Sequence, residues 1–420
     1  MSAAAKEPSA IARRSVVAAV AGNALEFYDF TAYTFFAIQI GQTFFPSKNA
    51  FVSLMLSLGT FGAGFLGRPI GGIVIGAFAD RRGRRPAMVL SFVLMGAGIL
   101  ALALTPSYAA IGIAAPLIVI AARVVQGFAL GGQVGPATAY LLEAAAPETR
   151  GFYTTLQYAS QGLAALIGGG VAFALASWLG AADLASFGWR IAFLVGAVVL
   201  PFGFLMQRAL PETLAVEAAP RERLGDNIRI AVLGLVMLGS ATIAVYTMYY
   251  LPTYAQTALH MKAGIASAAG MVFGACTLVF SVVSGWLSDR IGRKPVMIWP
   301  RLLLTLVVVP LFMWLMANPS GAVLLTVTAI VASLATFNSA AGLVAIAEAL
   351  PAGMRSGVLG TIYAIAIAGF GGTAQLVEAW LTKISGSALA PAWYLTAACA
   401  IGLVAILLMP ETAPVKAKVR

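Results

Sequence analysis

Two stretches of this chain, Pro86 to Ala122 and Trp314 to Ala347, contain no charged side chain. Each exceeds the roughly 20 apolar residues that carry one helix across a bilayer, and each is long enough for most of a helical pair. A water-soluble core has no use for apolar runs of that length, so a soluble fold is excluded. Composition agrees. Of 420 residues, 60% are hydrophobic and 10% charged, where a soluble domain carries about 25% charged.

Dividing the chain at charged and Pro/Gly-rich loops predicts twelve spans, roughly at 15–40, 50–78, 86–105, 109–140, 152–178, 189–209, 228–256, 265–287, 295–316, 321–347, 357–381 and 392–409. The expected fold is an all-α membrane protein of twelve transmembrane helices. An even number places both termini on one side. With the termini inside, the inner loops hold Arg81, Arg82, Arg84, Arg85, Arg290, Arg293 and Lys294, while the outer loops hold only Lys48, Arg190, Lys262 and Lys383. That is the positive-inside pattern, so cytoplasmic termini in a bacterial inner membrane are expected. It also accounts for the net charge of +11 without a nucleic-acid partner. The polar start, followed by Arg13-Arg14 and an apolar run, reads as a retained first span and not a cleaved signal.

The chain repeats itself. Gly76-Ala-Phe-Ala-Asp-Arg-Arg-Gly-Arg-Arg-Pro86 returns as Gly285-Trp-Leu-Ser-Asp-Arg-Ile-Gly-Arg-Lys-Pro295. Pro211-Glu-Thr213 returns as Pro410-Glu-Thr412, and Glu143 with Arg150-Gly151 returns as Glu348 with Arg355-Ser-Gly357. Three pairs at similar offsets imply two pseudo-symmetric six-helix halves, 1–211 and 228–420, joined by a charged cytoplasmic linker at 212–227. Parallel halves of this kind hold a substrate between them near the bilayer midplane.

The Gly-x-x-x-Asp-Arg-x-Gly-Arg-Arg/Lys loop, present after spans 2 and 8, resembles the signature loop of the major facilitator superfamily. A narrower set is similar to the metabolite:proton symporter family, whose members carry citrate, 2-oxoglutarate, shikimate, phthalate and proline or betaine. The set comprises Gly22-Asn23-x-x-Glu26-x-x-Asp29-Phe30, Gly67-Arg68-Pro69, Arg123-x-x-Gln126-Gly127, Gly188-Trp189-Arg190 and Pro252-Thr253-Tyr254. Pro252-Thr253-Tyr254 and Gly371-Gly372-Thr-x-Gln375 look most similar to the citrate and tricarballylate branch. The resemblance implies the twelve-helix major facilitator fold and proton-coupled uptake of a small organic acid. Many relatives carry a glutamate where this chain has Gln133, which cannot take a proton. A zwitterion symporter of the proline/betaine kind, or a drug or metabolite efflux antiporter, shares the same fold.

Ionisable groups inside a span are expensive and therefore functional candidates. Span 1 places Asn23, Glu26, Asp29 and Tyr33 on one helix face. Glu26 and Asp29 are either proton carriers beside the substrate or a polar pair that locks neighbouring helices. Span 4 aligns Arg123, Gln126 and Gln133, and Arg123 reads as the one arginine deep in a span. Its planar fork suits a carboxylate, whether of the substrate or of Glu26 or Asp29. Tyr246 and Tyr250 in span 7, Gln157 and Gln161 in span 5, Asn338 in span 10 and Gln375 in span 11 are candidate pathway polar groups, or else interhelical hydrogen bonds. Tyr254 reads as part of an outer aromatic girdle. Glu378 is a third proton candidate, near enough to the outer end of span 11 to reach water. Asp80, Arg84 and Glu143, with Asp289, Arg293 and Glu348, form a candidate cytoplasmic gate. In it, an aspartate faces a helix N-terminus and basic groups meet the glutamates.

Cys276, Cys399 and the single His260 make no metal or haem set. Gly168-Gly169-Gly170 lacks the Lys-Ser/Thr of a phosphate loop. No catalytic constellation is present, so an enzyme is not expected. No cofactor is expected beyond a co-transported proton, or Na⁺ in its place. The expected partners are a small organic acid and the lipid bilayer, with the chain a monomer.

Overall fold

The computed structural model describes residues 13–82, 84–131, 138, 141–142, 145–201 and 228–417. Gln133, Glu143 and the expected linker lie outside them, as do the side chains of Asp80 and Arg84.

Among the described residues every regular element is helical, as a backbone without water to bond must be. Helix α1 (Arg13–Phe35) is extended after Phe36 by a short helix, Ala37–Phe44. There follow α2 (Ala50–Arg82), α3 (Arg84–Leu104), α4 (Ala114–Leu130), α5 (Arg150–Trp178) and α6 (Ala181–Pro201). The second set is α7 (Ile228–Thr257), α8 (Ala263–Ile291), α9 (Arg293–Ala317) and α10 (Gly321–Ala349). Helix α11 runs as Ala352–Ala366, a π-helical turn Ile367–Gly371 and Gly372–Ser385, and α12 is Ala390–Leu408. Nine of the described helices are long and apolar enough to cross a membrane, and Val89–Leu104 and Ala114–Leu130 are shorter apolar helices. With α1 they make the twelve spans that hydropathy predicts.

Loop chemistry sets the breaks. Gly292 separates α8 from α9 at φ 103°, a conformation that a residue with a Cβ rarely adopts. Ser320 caps α10, its Oγ accepting from the Val323 N–H at 3.3 Å, and Pro351 follows its end.

Glycine decides how closely the helices approach. Helices α5 and α8 lie backbone against backbone. A Cβ on Gly162 would strike the Leu278 backbone, and one on Gly274 the Leu166 backbone. Helix α2 meets α11 where Gly62 faces the Gly372 carbonyl, and α4 where Gly127 faces Gly64. Small residues allow such approaches between helices that gain nothing from burying apolar surface in lipid. The α5–α8 and α2–α11 seams join the first six helices to the last six. Between them the aromatic rings of Phe30, Phe61, Phe65 and Tyr246 fill the centre.

Candidate functional site

The residues on α1 and α4 build a closed charge cluster. Arg123 Nη1 donates to Asp29 Oδ2 at 2.6 Å and to Gln126 Oε1 at 2.6 Å. Gln126 Nε2 reaches Asp29 Oδ1 at 3.4 Å. The spacings Glu26–Asp29 and Arg123–Gln126 each cover one helical turn, so each helix offers its polar stripe to the other. Aromatic faces complete the enclosure. The Arg123 guanidinium stands 4.6 Å from the Phe30 ring centre and 4.5 Å from that of Tyr33, and the Tyr33 hydroxyl donates to the Ser57 carbonyl. Arg123 and Asp29 are buried. Even so, Arg123 Nε and Nη2 have no partner among the described residues. Buried guanidinium donors without acceptors are costly, and they are the groups an incoming carboxylate would satisfy.

Arg123 is not the one arginine deep in a span. Arg68, only 4% exposed, and Arg301 are buried as well. Arg68 lies 4.8 Å from the centre of the same Phe30 ring and 4.3 Å from that of Phe65. Its Nε and Nη2 also lack partners among the described residues. Tyr246, Tyr363, Arg123 and Glu26 are the charged and titratable groups around it. Glu26 is thus buried within electrostatic reach of Arg68. The sequence did carry a signal for Arg68: it stands mid-way along a 33-residue helix.

Beside these arginines lies a cavity of about 20 Å³ between the first and the last six helices. Phe27, Tyr158 and Gln161 line it from one side, and Thr242, Val245, Tyr246, Tyr249, Tyr363 and Ile367 from the other. Gln161 and Tyr246 therefore line this cavity between the halves. Tyr158 and Tyr363 are added by the structure, with Tyr363 within hydrogen-bonding reach of Gln161.

Other candidates sit elsewhere. Asn23 donates to the Gln157 carbonyl at 3.3 Å and to Ser160 Oγ at 2.6 Å, tying α1 to α5. The Gln157 side chain accepts from the Thr138 hydroxyl. Asn338 is not on the cavity. It accepts from Arg301 Nη2 at 2.5 Å and donates to the Met297 carbonyl, inside the second half. Gln375 is buried with neither amide atom partnered among the described residues. Tyr254 is no girdle residue. It is buried, and its hydroxyl donates to the Ala388 carbonyl at 2.7 Å. Tyr250 packs on it at 6.4 Å between ring centres. Glu378 does not reach water. It is 0% exposed, because α7 covers it, and it accepts a hydrogen bond from the Thr247 hydroxyl.

At the end of the bundle that carries Gly292, Asp289 faces the N-terminus of α5. Its Oδ1 accepts from the Gly151 N–H at 2.8 Å and its Oδ2 from the Phe152 N–H at 2.9 Å, where the helix dipole favours an anion. Arg293 Nη1 holds the same carboxylate at 2.7 Å. Arg293 Nε and Nη2 grip Glu348 in a two-pronged bond at 3.0 and 2.8 Å. Sequence reasoning used Pro410-Glu-Thr412 only as a repeat marker. In the structure Glu411 caps α9, accepting from the Arg293 and Lys294 N–H groups at 2.9 and 3.0 Å.

The family model described as the Major Facilitator Superfamily matches residues 19–276 and again 233–420. The chain belongs to the major facilitator superfamily. It is 34% identical over 400 residues to a citrate-proton symporter of Salmonella typhi, covering 93% of this chain and 92% of that protein. It is 34% identical over 413 residues to the alpha-ketoglutarate permease of Escherichia coli strain K12, covering 94% and 93%. Among solved structures, a D-xylose-proton symporter superposes with a TM-score of 0.76 at 20% identity, covering 96% of this chain and 98% of that one. That likeness carries the fold alone.

As a major facilitator protein the chain is a multi-pass membrane transporter of the twelve-helix fold, and not an enzyme. The repeated Asp-Arg-x-Gly-Arg loop of the superfamily has a physical role visible at its second copy. Its aspartate binds a helix of the first half, and its arginine binds a glutamate of the second.

Proposed function

We propose that this transporter carries a small organic acid, a di- or tricarboxylate such as citrate, inward across the bacterial inner membrane together with protons, by alternating access. The observation that carries this reading is the pair of buried guanidiniums, Arg68 and Arg123, set on the one Phe30 ring with donors unfilled among the described residues. Arginine forks match carboxylates in pairs, and two of them suit an acid with more than one carboxylate. Relatives named for citrate and alpha-ketoglutarate support the same class. In this reading Asp29 holds Arg123 when the site is empty, and a substrate carboxylate displaces it. Tyr33, Gln126, Gln161, Tyr246 and Gln375 contribute polar contacts around the acid. The buried carboxyls Glu26, Asp29 and Glu378 are the groups available to carry the proton.

The cavity of about 20 Å³ has room for one water, which needs about 10–15 Å³. A bound organic acid needs roughly 300 Å³ or more. Binding therefore requires the halves to part. The contact of Asp289 with the α5 N-terminus, braced by Arg293 and Glu348 from within the second half, forms the cytoplasmic latch that breaks and reforms as they rock. Both termini face the cytoplasm, as the basic loops direct, and one chain suffices for the cycle.

The test is uptake into proteoliposomes under an imposed inward proton gradient. The panel is citrate, tricarballylate, 2-oxoglutarate, shikimate, phthalate and betaine. Accumulation of a di- or tricarboxylate, lost with a protonophore, is expected. Efflux of preloaded hydrophobic dyes with no uptake of any panel member would replace symport by antiport. A second reading has one observation in its favour. The tyrosine-rich cavity wall suits a quaternary ammonium group, and uptake of betaine alone would select it.

A further inference from the structure

We infer that Glu378 is the residue on which the co-transported proton rides, and that the proton reaches it through a pocket between the outer ends of α11 and α12, apart from the substrate cavity. The inference rests on the proton-symport reading and chooses among its three carboxyls.

Asp29 is committed elsewhere. Its two oxygens are taken by Arg123 and Gln126, and a proton placed on it would break the ion pair. Glu26 lies within electrostatic reach of the Arg68 cation. Glu378 differs from both. Its Oε1 accepts from Thr247, and its Oε2 has no partner among the described residues. No lysine or arginine forms an ion pair with it among those residues. The titratable groups that face it are Tyr250 from α7 and Tyr394 from α12. From α2, Gly59, Gly62 and Phe65 meet this part of α11, against Leu376 and Gly372. On its own helix, Lys383 turns away onto Phe51. A charge on Glu378 would be buried without a counter-charge, and a proton removes that cost.

A way in exists. Leu381, Ser385, Ser387, Ala390, Trp393 and Tyr394 line a pocket of about 270 Å³ at the end of the bundle opposite Gly292. Leu381 lies one turn beyond Glu378 on α11, and Tyr394 lines the pocket within electrostatic reach of Glu378. None of these six residues lines the substrate cavity. The step carries a proton from hydronium in the pocket to Glu378 Oε2 when the outer ends of α11 and α12 part, leaving water and a neutral carboxyl. No other bond is made or broken. Coupling follows from the bond on Oε1. Thr247 belongs to α7, next to Tyr246 in the cavity wall. The charge of Glu378 thus acts on the helix that the substrate touches.

The test compares wild type, Glu378→Gln and Ser387→Cys in proteoliposomes, with citrate and 2-oxoglutarate as probes. Glu378→Gln is expected to lose gradient-driven accumulation yet keep counterflow exchange, which moves no net proton. Ser387→Cys treated with a bulky methanethiosulfonate reagent is expected to lose gradient-driven uptake and keep counterflow, with treated wild type unchanged. Should Glu378→Gln fail to fold, Glu378→Asp is expected to retain uptake with a displaced pH profile, and an unmoved profile would overturn the inference. Full gradient-driven accumulation by Glu378→Gln would also overturn it. So would uptake driven by Na⁺ and not by protons, lost in the variant. If wild type itself accumulates no panel acid, the symport reading fails, and that outcome is distinct from failure of Glu378 alone.

Discussion

In the first half of the bundle a buried cation meets a buried anion directly, Arg123 on Asp29 at 2.6 Å. In the second half, two equally buried charged residues take only neutral partners among the described residues. Arg301 donates to Asn338, Ser240 and the Cys399 sulfur, and Glu378 accepts from Thr247. The difference sets what each group is able to do. A desolvated pair with good geometry offsets its own burial, and removing one partner strands the other. A lone buried carboxyl instead gains from any cation that reaches it, and a proton is the smallest.

The sharpest break of this comparison is Arg123→Ala. Uptake is expected to vanish, and stability to fall by about 3–5 kcal/mol as Asp29 is left uncompensated. Adding Asp29→Asn should restore most of the melting temperature in detergent but none of the uptake. An unrestored melt would mean that packing on Phe30 and Tyr33, and not the charge pair, holds Arg123. Next come the single carboxyl variants. Asp29→Asn is expected to cost about 3 kcal/mol, because it strands a buried cation. Glu378→Gln keeps an acceptor for Thr247 and should stay within about 1 kcal/mol of wild type. Equal melting temperatures for the two would erase the contrast. Arg301→Met forfeits its bonds to Asn338 and Ser240, about 1–3 kcal/mol, while leaving gradient-driven uptake in place. Loss of uptake there would put the second half's arginine in the pathway. The smallest effect is expected at the latch. Asp289→Asn weakens the anion at the α5 N-terminus by about 1 kcal/mol. It should raise labelling of a cysteine placed at Thr155 by a membrane-impermeant thiol reagent applied from the cytoplasmic side.

Much of the candidate site was legible in the sequence, and the gaps have reasons. Arg123, Gln126 and Asp29 stood out because a polar stripe of period three to four on an apolar helix has to face protein. Asp289 and Arg293 stood out through the repeated loop. Arg68 stood in the sequence only as part of the Gly67-Arg68-Pro69 motif, with no polar stripe to mark its depth. Only the rings of Phe30 and Phe65 show that it stays inside. Glu378 was given water because one-dimensional distance from a span end measures depth and says nothing of cover. Asn338 stood open between a pathway group and an interhelical hydrogen bond, and its side chain turns into its own half.

The sequence by itself determined the number of spans, the repeat and the family. Those depend on local quantities: the hydropathy of some twenty consecutive residues, the glycine needed at Gly292, and the signs of the loop charges. Tertiary structure alone decided which buried polar groups meet. Rotation of a helix by one residue moves a side chain by about 100° around its axis. Whether a carboxyl finds an arginine, as Asp29 does, or a threonine, as Glu378 does, is therefore set by the neighbouring helices.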